Sequence, residues 1–359
     1  MAPAPVANGH AAEDWEEGLV LAGIEGGGTS FAVALARGCP TNIVARARFP
    51  TGEDPAALLR LVTNWILRPE AGAHATADGS ALVPHGVGVA CFGPLHLDAE
   101  QAATYGRVTV GSPKVAWRLA DVRGTVVRAL AEAKVTPCAI GFDTDVNGPA
   151  VAEARWGGHG DAKSVAYVTV GTGVGVGIVC DGKPVHGAGH PEAGHMAVPL
   201  EAEDYKSGFK GVCPFHGAQC VEGLVCMGAI AARLGVSPDT LASVPDSDPV
   251  WDLVARYMAR LCVNLVLTVA PHAIVLGGGL MNRHAIMLPL IHSHFKAQMA
   301  GYVDPGRPVE ELIVRSRFGS DSGIVGALEL ARLAVLRQRA GQAQDSKKRK
   351  ACELLQEEN

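Results

Sequence analysis

Apolar positions along this chain follow two rhythms. GLVLAGIEGGGTSFAVALARG (residues 18–38) is an apolar run, a glycine turn and a second apolar run, and SVAYVTVGTGVGVGIVCDGKPV (164–185) repeats that design. Each predicts a β-hairpin that opens a domain, its central glycines supplying the positive φ of a tight turn. Apolar residues at three- and four-residue spacing predict helices in PAALLRLVTNWIL, VAWRLADVRGTVVRALAEAK and SGIVGALELARLAVLRQRA. HGVGVACF and PCAIGFDTDV read as strands between them, and HAIVLGGGLM as a strand ending in a third glycine cluster before a helix. The most apolar stretch, LCVNLVLTVAPHAIVLGGG, is interrupted by Asn264, Pro271 and His272. It reads as a buried helix and a buried strand, not as a membrane span. Alternating strands and helices give the α/β class, and the matching hairpins predict duplicated halves with a cleft between them.

Composition narrows this picture. With 359 residues, 48% of them hydrophobic, and a mean hydropathy of +0.17, the chain can bury a large core, divided over about two domains. A net charge of -5 gives no general reason to bind nucleic acid or an anionic membrane. The first residues lack the basic and apolar regions of a signal peptide. The nine cysteines are mostly isolated in apolar contexts, as at Cys91, Cys138, Cys180 and Cys262, and read as reduced thiols. The expectation is a cytoplasmic protein. Residues 1–17 and 341–359 read as disordered tails, and KKRK within the second as a solvated charge run, not a nuclear address.

Chemistry concentrates at the glycines and just after one strand. Gly26, Gly27 and Gly28 bring bare backbone N–H groups to an anion, with Thr29 as a hydroxyl donor; Gly171, Thr172 and Gly173 offer the same set from the other half. One such hairpin alone reads first as a tight turn; two, each with a threonine beside the glycines, shift the reading toward a polyphosphate held between domains. No lysine follows the glycines, so neither is a P-loop, and GVGVG does not open a helix as a dinucleotide fold requires. Gly277, Gly278 and Gly279 offer bare backbone against a flat adenine. In FDTDVNGPAVAEARWG, Asp143, Asp145 and Asn147 sit at a strand-to-helix switch, where α/β folds place their chemistry. One of the acids is a candidate general base; Asp143 or Asn147 capping the helix is the competing reading. CPFHGAQC supplies Cys213, His216 and Cys220 to a metal site whose fourth ligand is His195 or His190. An ordinary loop with unpaired thiols is the alternative, and the cysteines are too far apart for a redox Cys-x-x-Cys pair.

Together, GIEGGGT, VACFGPL, DTDVNGPAVAE, VTVGTGVGVG, GHPEAGH, CPFHGAQCVEGL and IVLGGGLM resemble the ROK family of sugar kinases and repressors, most of all its fructokinase branch. The resemblance implies two actin-like (ribonuclease H-like) α/β domains of the actin/hexokinase superfamily. The first spans 18–142 and is completed by a C-terminal helix at 323–340; the second spans 143–322, with a zinc-binding loop at 189–222. It implies Asp145 as general base, with Asn147, Glu192, His195 and Glu222 on the sugar. Zn²⁺ is implied at His195, Cys213, His216 and Cys220, as a structural clamp behind the sugar pocket. The expected reaction is ATP- and Mg²⁺-dependent phosphorylation of D-fructose to fructose 6-phosphate, with the two hairpins on the ATP phosphates. Glu25, where the family carries Asp or Glu, either holds a metal-bound water or fixes the turn. Competing readings are a mannose, glucose or N-acylhexosamine kinase and a catalytically silent sugar-binding regulator. A zinc-dependent nucleic-acid binder is disfavoured by the acidic balance, and the resemblance implies a homodimer.

Overall fold

The computed structural model describes residues 18–67, 82–135 and 138–357, with side chains to 345; the expected tail at 1–17 lies outside them. Strands β1 (Val20–Gly26) and β2 (Ser30–Arg37) form the first hairpin, which β3 (Ile43–Pro50) extends. Helix α1 (Pro55–Leu67) buries Leu58, Leu59, Val62 and Ile66, the stripe its spacing predicts. Strand β4 (Gly86–Cys91), helix α2 (Val122–Glu132) and strand β5 (Ala139–Thr144) follow. Then come helix α3 (Asn147–Trp156) and strands β6 (Val165–Val170), β7 (Val174–Cys180) and β8 (Lys183–Pro184). Helices α4 (Ala202–Ser207), α5 (Val221–Val225), α6 (Met227–Leu234) and α7 (Val250–Val269) lead to strand β9 (Ala273–Gly277). Helices α8 (His284–Met299) and α9 (Val309–Leu312), strand β10 (Ile313–Arg315) and helix α10 (Ser322–Glu357) complete the chain.

The chain forms two compact units. One runs through Asp145 and resumes at Ile324; the other is Val146–Gly323. The first carries a sheet of order β3-β2-β1-β4-β5, the second one of order β10-β9-β6-β7-β8. In each, three antiparallel strands joined in sequence continue into two parallel ones. Both sheets therefore have one design, the actin-like α/β fold.

Alternation in the first sheet sends Ile24, Phe31, Val33, Val87 and Val89 to a core with α1 and α2. The opposite face, with Leu21, Ala32, Ala34, Ala36 and Ala90, packs on Ala327, Leu328 and Ala331 of α10. Small residues on that face allow a very close approach. A Cβ on Gly88 would stand 1.8 Å from the Ala327 carbonyl oxygen, and one on Gly141 2.3 Å from that of Leu330. In the second unit Val168, Val176, Ile178 and Leu276 pack on Trp251, Tyr257, Leu261 and Met287.

Three expectations need correction. The segment from Val115 is not one helix: a 3-10 turn covers Val115–Trp117, Leu119 takes φ +63°, and α2 begins only at Val122. Asp121 caps it by accepting the Gly124 N–H at 2.9 Å. Residues 341–357 are not a disordered tail in backbone terms, because α10 runs on to Glu357. Their Gln, Lys, Arg, Ala, Glu and Leu are good helix formers, with no proline to stop them. Finally, neither Asp143 nor Asn147 caps α3, whose N-cap is Val146 with no side-chain bond.

Gly88→Ala is expected to destabilise the fold by about 3 kcal/mol, since the obstructing atom is backbone and cannot swing aside. A urea midpoint unchanged from the wild type would contradict this packing.

Candidate functional site

Strands β1, β4 and β5 run parallel and end at one edge of the first sheet. Gly26 pairs with Cys91, and Cys91 with Thr144, so the hairpin tip and Asp145 leave the sheet along one line. Two interstrand spacings separate them, about 10 Å. The Asp145 N–H donates to the Cys91 carbonyl at 3.0 Å. Its side chain is part-exposed. Asp143 is 3% exposed and accepts the Thr144 N–H at 2.8 Å. Of the two acids, Asp143 is buried and Asp145 is part-exposed. Burial, with the Asp145 carboxylate second, pushes the Cys91 thiol well above its ordinary range, so Cys91 is a neutral packing group. Glu25 lies within β1, paired with Ala32 and Ala90.

The tip itself is held from behind. Gly27 N–H donates to Ser30 O at 3.0 Å, and the Thr51 N–H to Thr29 O at 3.0 Å. The Thr51 hydroxyl donates to Gly27 O at 2.8 Å. These bonds turn the tip's carbonyls into the protein, and among the described residues nothing accepts from the N–H of Gly28 or Thr29. Thr51, 3% exposed, has no motif around it to draw attention; only the β2–β3 pairing brings it to the tip. The glycines here do not supply positive φ, contrary to expectation: none of Gly26, Gly27, Gly28, Gly171 or Gly173 has it. Gly26, Gly27 and Gly173 are crowded instead, whereas Gly171 meets open space. A Cβ on Gly26 would meet the Phe31 ring at 2.7 Å, and one on Gly27 the Ser30 carbonyl at 2.9 Å.

GTGVGVG divides into two jobs. At its tip, Gly171 N–H donates to Gly173 O and Gly171 O accepts from Met227 N–H, both at 2.9 Å; Thr172 lies between the two glycines. Glu222 Oε2 accepts the Val174 N–H at 3.0 Å, and a Cβ on Gly173 would meet that oxygen at 2.6 Å. Gly175 and Gly177 instead seat α3, with the Val146 carbonyl 2.0 Å from where a Gly177 Cβ would be. That contact positions Asn147, 1% exposed, whose amide nitrogen is 3.4 Å from His186 Nε2. Packing alone accounts for two glycines of the third cluster. A Cβ on Gly277 would stand 2.5 Å from the Tyr167 hydroxyl and one on Gly278, at φ +79°, 2.4 Å from the Val170 carbonyl, while one on Gly279 would meet open space.

His195, Cys213, His216 and Cys220 converge, with donor atoms all within 4.8 Å of one another. Cys213 Sγ is 3.6 Å from both His195 Nδ1 and His216 Nδ1, and Cys220 Sγ is 3.7 Å from His195 Nδ1. A tetrahedral ion with Zn–S near 2.3 Å and Zn–N near 2.0 Å sets S···N distances of about 3.6 Å. The donors fit. His190 stands apart, with Nδ1 3.6 Å from Glu192 Oε1. Burial pushes the Cys220 thiol up to about 11, and a bound cation reverses that preference by accepting thiolates. With His195 Nδ1 turned to the cluster, its Nε2 lies 3.9 Å from Glu222 Oε1, beyond direct hydrogen-bond distance. Glu222, two residues after Cys220, links this loop to the second hairpin through the Val174 N–H, a link the sequence spacing does not reveal. Glu192, its side chain 45% exposed, is still crowded enough that desolvation, with Glu222 second, pushes its carboxyl up to about 7.

Each unit thus carries a glycine hairpin on a sheet of the same design; the first adds a part-exposed carboxylate at a strand end and the second a Cys₂His₂ loop. The ROK family model matches residues 21–334, and the chain belongs to the ROK family. It is 34% identical to a putative fructokinase of Bacillus subtilis (strain 168), over 88% of this chain and 96% of that one. It is also 34% identical to a fructokinase of Zymomonas mobilis, over 86% and 95%. A ROK family glucokinase from Streptomyces griseus, solved with glucose and AMPPNP, superposes with a TM-score of 0.65 at 22% identity, over 88% and 99%. None of the helices searched among the described residues is long and apolar enough to cross a membrane.

Two thiolates and two imidazoles form a donor set that suits a tetrahedral Zn²⁺. Elemental analysis is expected to find one zinc per chain, and less than about a tenth of that in the Cys213→Ser, Cys220→Ser double variant. Equal zinc in both proteins would place the ion elsewhere.

Proposed function

We propose that this chain transfers the γ-phosphoryl group of ATP to D-fructose, forming fructose 6-phosphate, with Asp145 as general base. The observation that carries the reading is the shared sheet edge. There an accessible carboxylate follows β5, two strands from a hairpin tip whose Gly28 and Thr29 N–H groups have no partner among the described residues. The relatives named fructokinase support the choice of sugar, and the AMPPNP bound to the S. griseus glucokinase supports the choice of donor.

In this mechanism Asp145 takes the proton of the fructose O6 hydroxyl. As the O6–Pγ bond forms, the bond from Pγ to the β–γ bridging oxygen breaks and ADP leaves. The transition state is loose, so positioning and charge neutralisation dominate. Backbone amides of Gly26–Thr29 and Gly171–Gly173 serve the phosphates. Mg²⁺ bound with ATP would offset the charge of the phosphates. Gly279 keeps the open backbone against which the adenine lies, beside Gly277 and Gly278. Asn147, Glu192, His195 and Glu222 bind the sugar's hydroxyls. Glu222 has one oxygen committed to Val174 and the other available to a hydroxyl. His195, Cys213, His216 and Cys220 would hold a structural Zn²⁺, which would keep the segments carrying Glu192 and Glu222 at fixed separation.

Asp145→Asn is expected to cut kcat by roughly 10²–10⁴-fold, the range of a lost general base, with fructose binding retained by calorimetry. Near-normal ADP release by that variant would remove Asp145 from the role. A panel of fructose, mannose, glucose and N-acylhexosamines tests the substrate. Hexose binding without ADP release on any of them would favour a silent sugar-binding protein.

A further inference from the structure

Phosphate-gripping glycine loops commonly pair with a lysine, and neither hairpin has one in sequence. The fold brings one from 86 positions downstream of Gly28, at Lys114. Its Cε lies 3.3 Å from where a Cβ on Gly28 would stand, so the aliphatic stem rests directly on the bare tip. Lys114 is half-buried, and among the described residues no carboxylate pairs with its ammonium. Nζ stands 5.9 Å from the centroid of the Phe92 ring, a contact that leaves the charge available.

The lysine is held by the same elements that hold the tip. Fully buried Ser112 donates its hydroxyl to Gly93 O at 3.3 Å and accepts the Lys114 N–H at 3.3 Å. Trp117 N–H donates to Lys114 O at 2.9 Å. The Trp117 ring stacks on Phe31 at 5.0 Å and meets Phe92 edge-on at 5.3 Å. Its indole donates to Gly52 O at 3.1 Å, next to the Thr51 that fastens the tip. Phe92 in turn donates its N–H to Gly26 O at 2.8 Å. Such packing fixes a long side chain whose conformational freedom otherwise favours solvent.

The geometry points to Lys114 as a catalytic residue that contacts the terminal phosphate of ATP. This rests on the kinase reading above. The tip under Lys114 leaves the sheet on the line that also carries Asp145, and the phosphate nearest the base is the one being transferred. When O6 attacks Pγ, its proton passes to Asp145 and the bridging oxygen leaves with ADP. Negative charge on the γ-phosphoryl oxygens and the bridging oxygen then meets the ammonium and the Gly28 and Thr29 amides. An ammonium serves here as a point charge, the role of lysine at phosphates.

The test compares wild type with Lys114→Met, which keeps the stem on Gly28 and Phe92, and with Lys114→Gln and Lys114→Arg. Removing one such electrostatic partner is expected to lower kcat/KM for ATP by about 10²–10³-fold in the Met and Gln variants. The Arg variant is expected to recover part of it, and fructose affinity and thermal midpoint to stay at wild-type values. Calorimetry is expected to show AMPPNP binding weakened about tenfold or more while ADP binding holds, which a merely structural lysine would not produce. A kcat/KM within about threefold of wild type, or equal losses for AMPPNP and ADP, overturns the assignment. If the wild type turns over no hexose, the kinase reading fails, and the AMPPNP-against-ADP comparison still decides whether Lys114 contacts a terminal phosphate.

Discussion

Backbone laid against bare backbone is the constraint on which the candidate site depends. Helix α10 reaches the first sheet because Gly88 and Gly141 carry no Cβ; any side chain would collide with the Ala327 or Leu330 carbonyl. That contact locks β4 and β5, whose ends carry Cys91 and Asp145, into register with β1 and its hairpin. The second unit uses the device on β7, where Gly175 and Gly177 receive the start of α3. Residues either side of this start, Asp145 and Asn147, are the ones assigned to the base and the sugar. Proteins are packed densely enough that such contacts tolerate almost no added volume.

A second chain of contacts runs through the metal loop. His195 offers Nδ1 to the cluster and Nε2 toward Glu222, and Glu222 holds the Val174 N–H at the base of the second hairpin. Met227, one turn beyond, anchors the Gly171 carbonyl. The loop that reads in sequence as a sugar clamp is thus also bolted to a glycine hairpin. Behind it, buried Asp204 receives a bidentate Arg233 and the Tyr257 hydroxyl. Each polar group in that network has a partner, so the loop's own foundation is rigid.

Much of the architecture was legible beforehand because it rests on short-range rules. Both hairpins, α1 and the strands β4, β5 and β9 followed from periodicity and glycine placement. The helix expected from Val115 failed since periodicity cannot register Leu119 at positive φ or the cap at Asp121. The tail failed for the opposite reason: residues 341–357 are polar but still strong helix formers, and α10 continues through them. The tip glycines do not take the positive φ expected of them; Gly26, Gly27 and Gly173 are instead crowded by Phe31, Ser30 and Glu222.

What the sequence by itself determined is the list of chemical parts: two glycine tips, an acid-rich strand end and a Cys/His loop, each encoded within a dozen residues. Tertiary structure alone decided which acid is buried and which part-exposed, and which glycines seat a helix; it also brings His195, the histidine the resemblance implies, to the Cys/His cluster. It also supplied Thr51 and Lys114 to the first tip and Glu222 to the second. The physical reason is distance along the chain. Strand pairing and helix seating bring residues tens of positions apart within a few ångströms, and no local pattern records that.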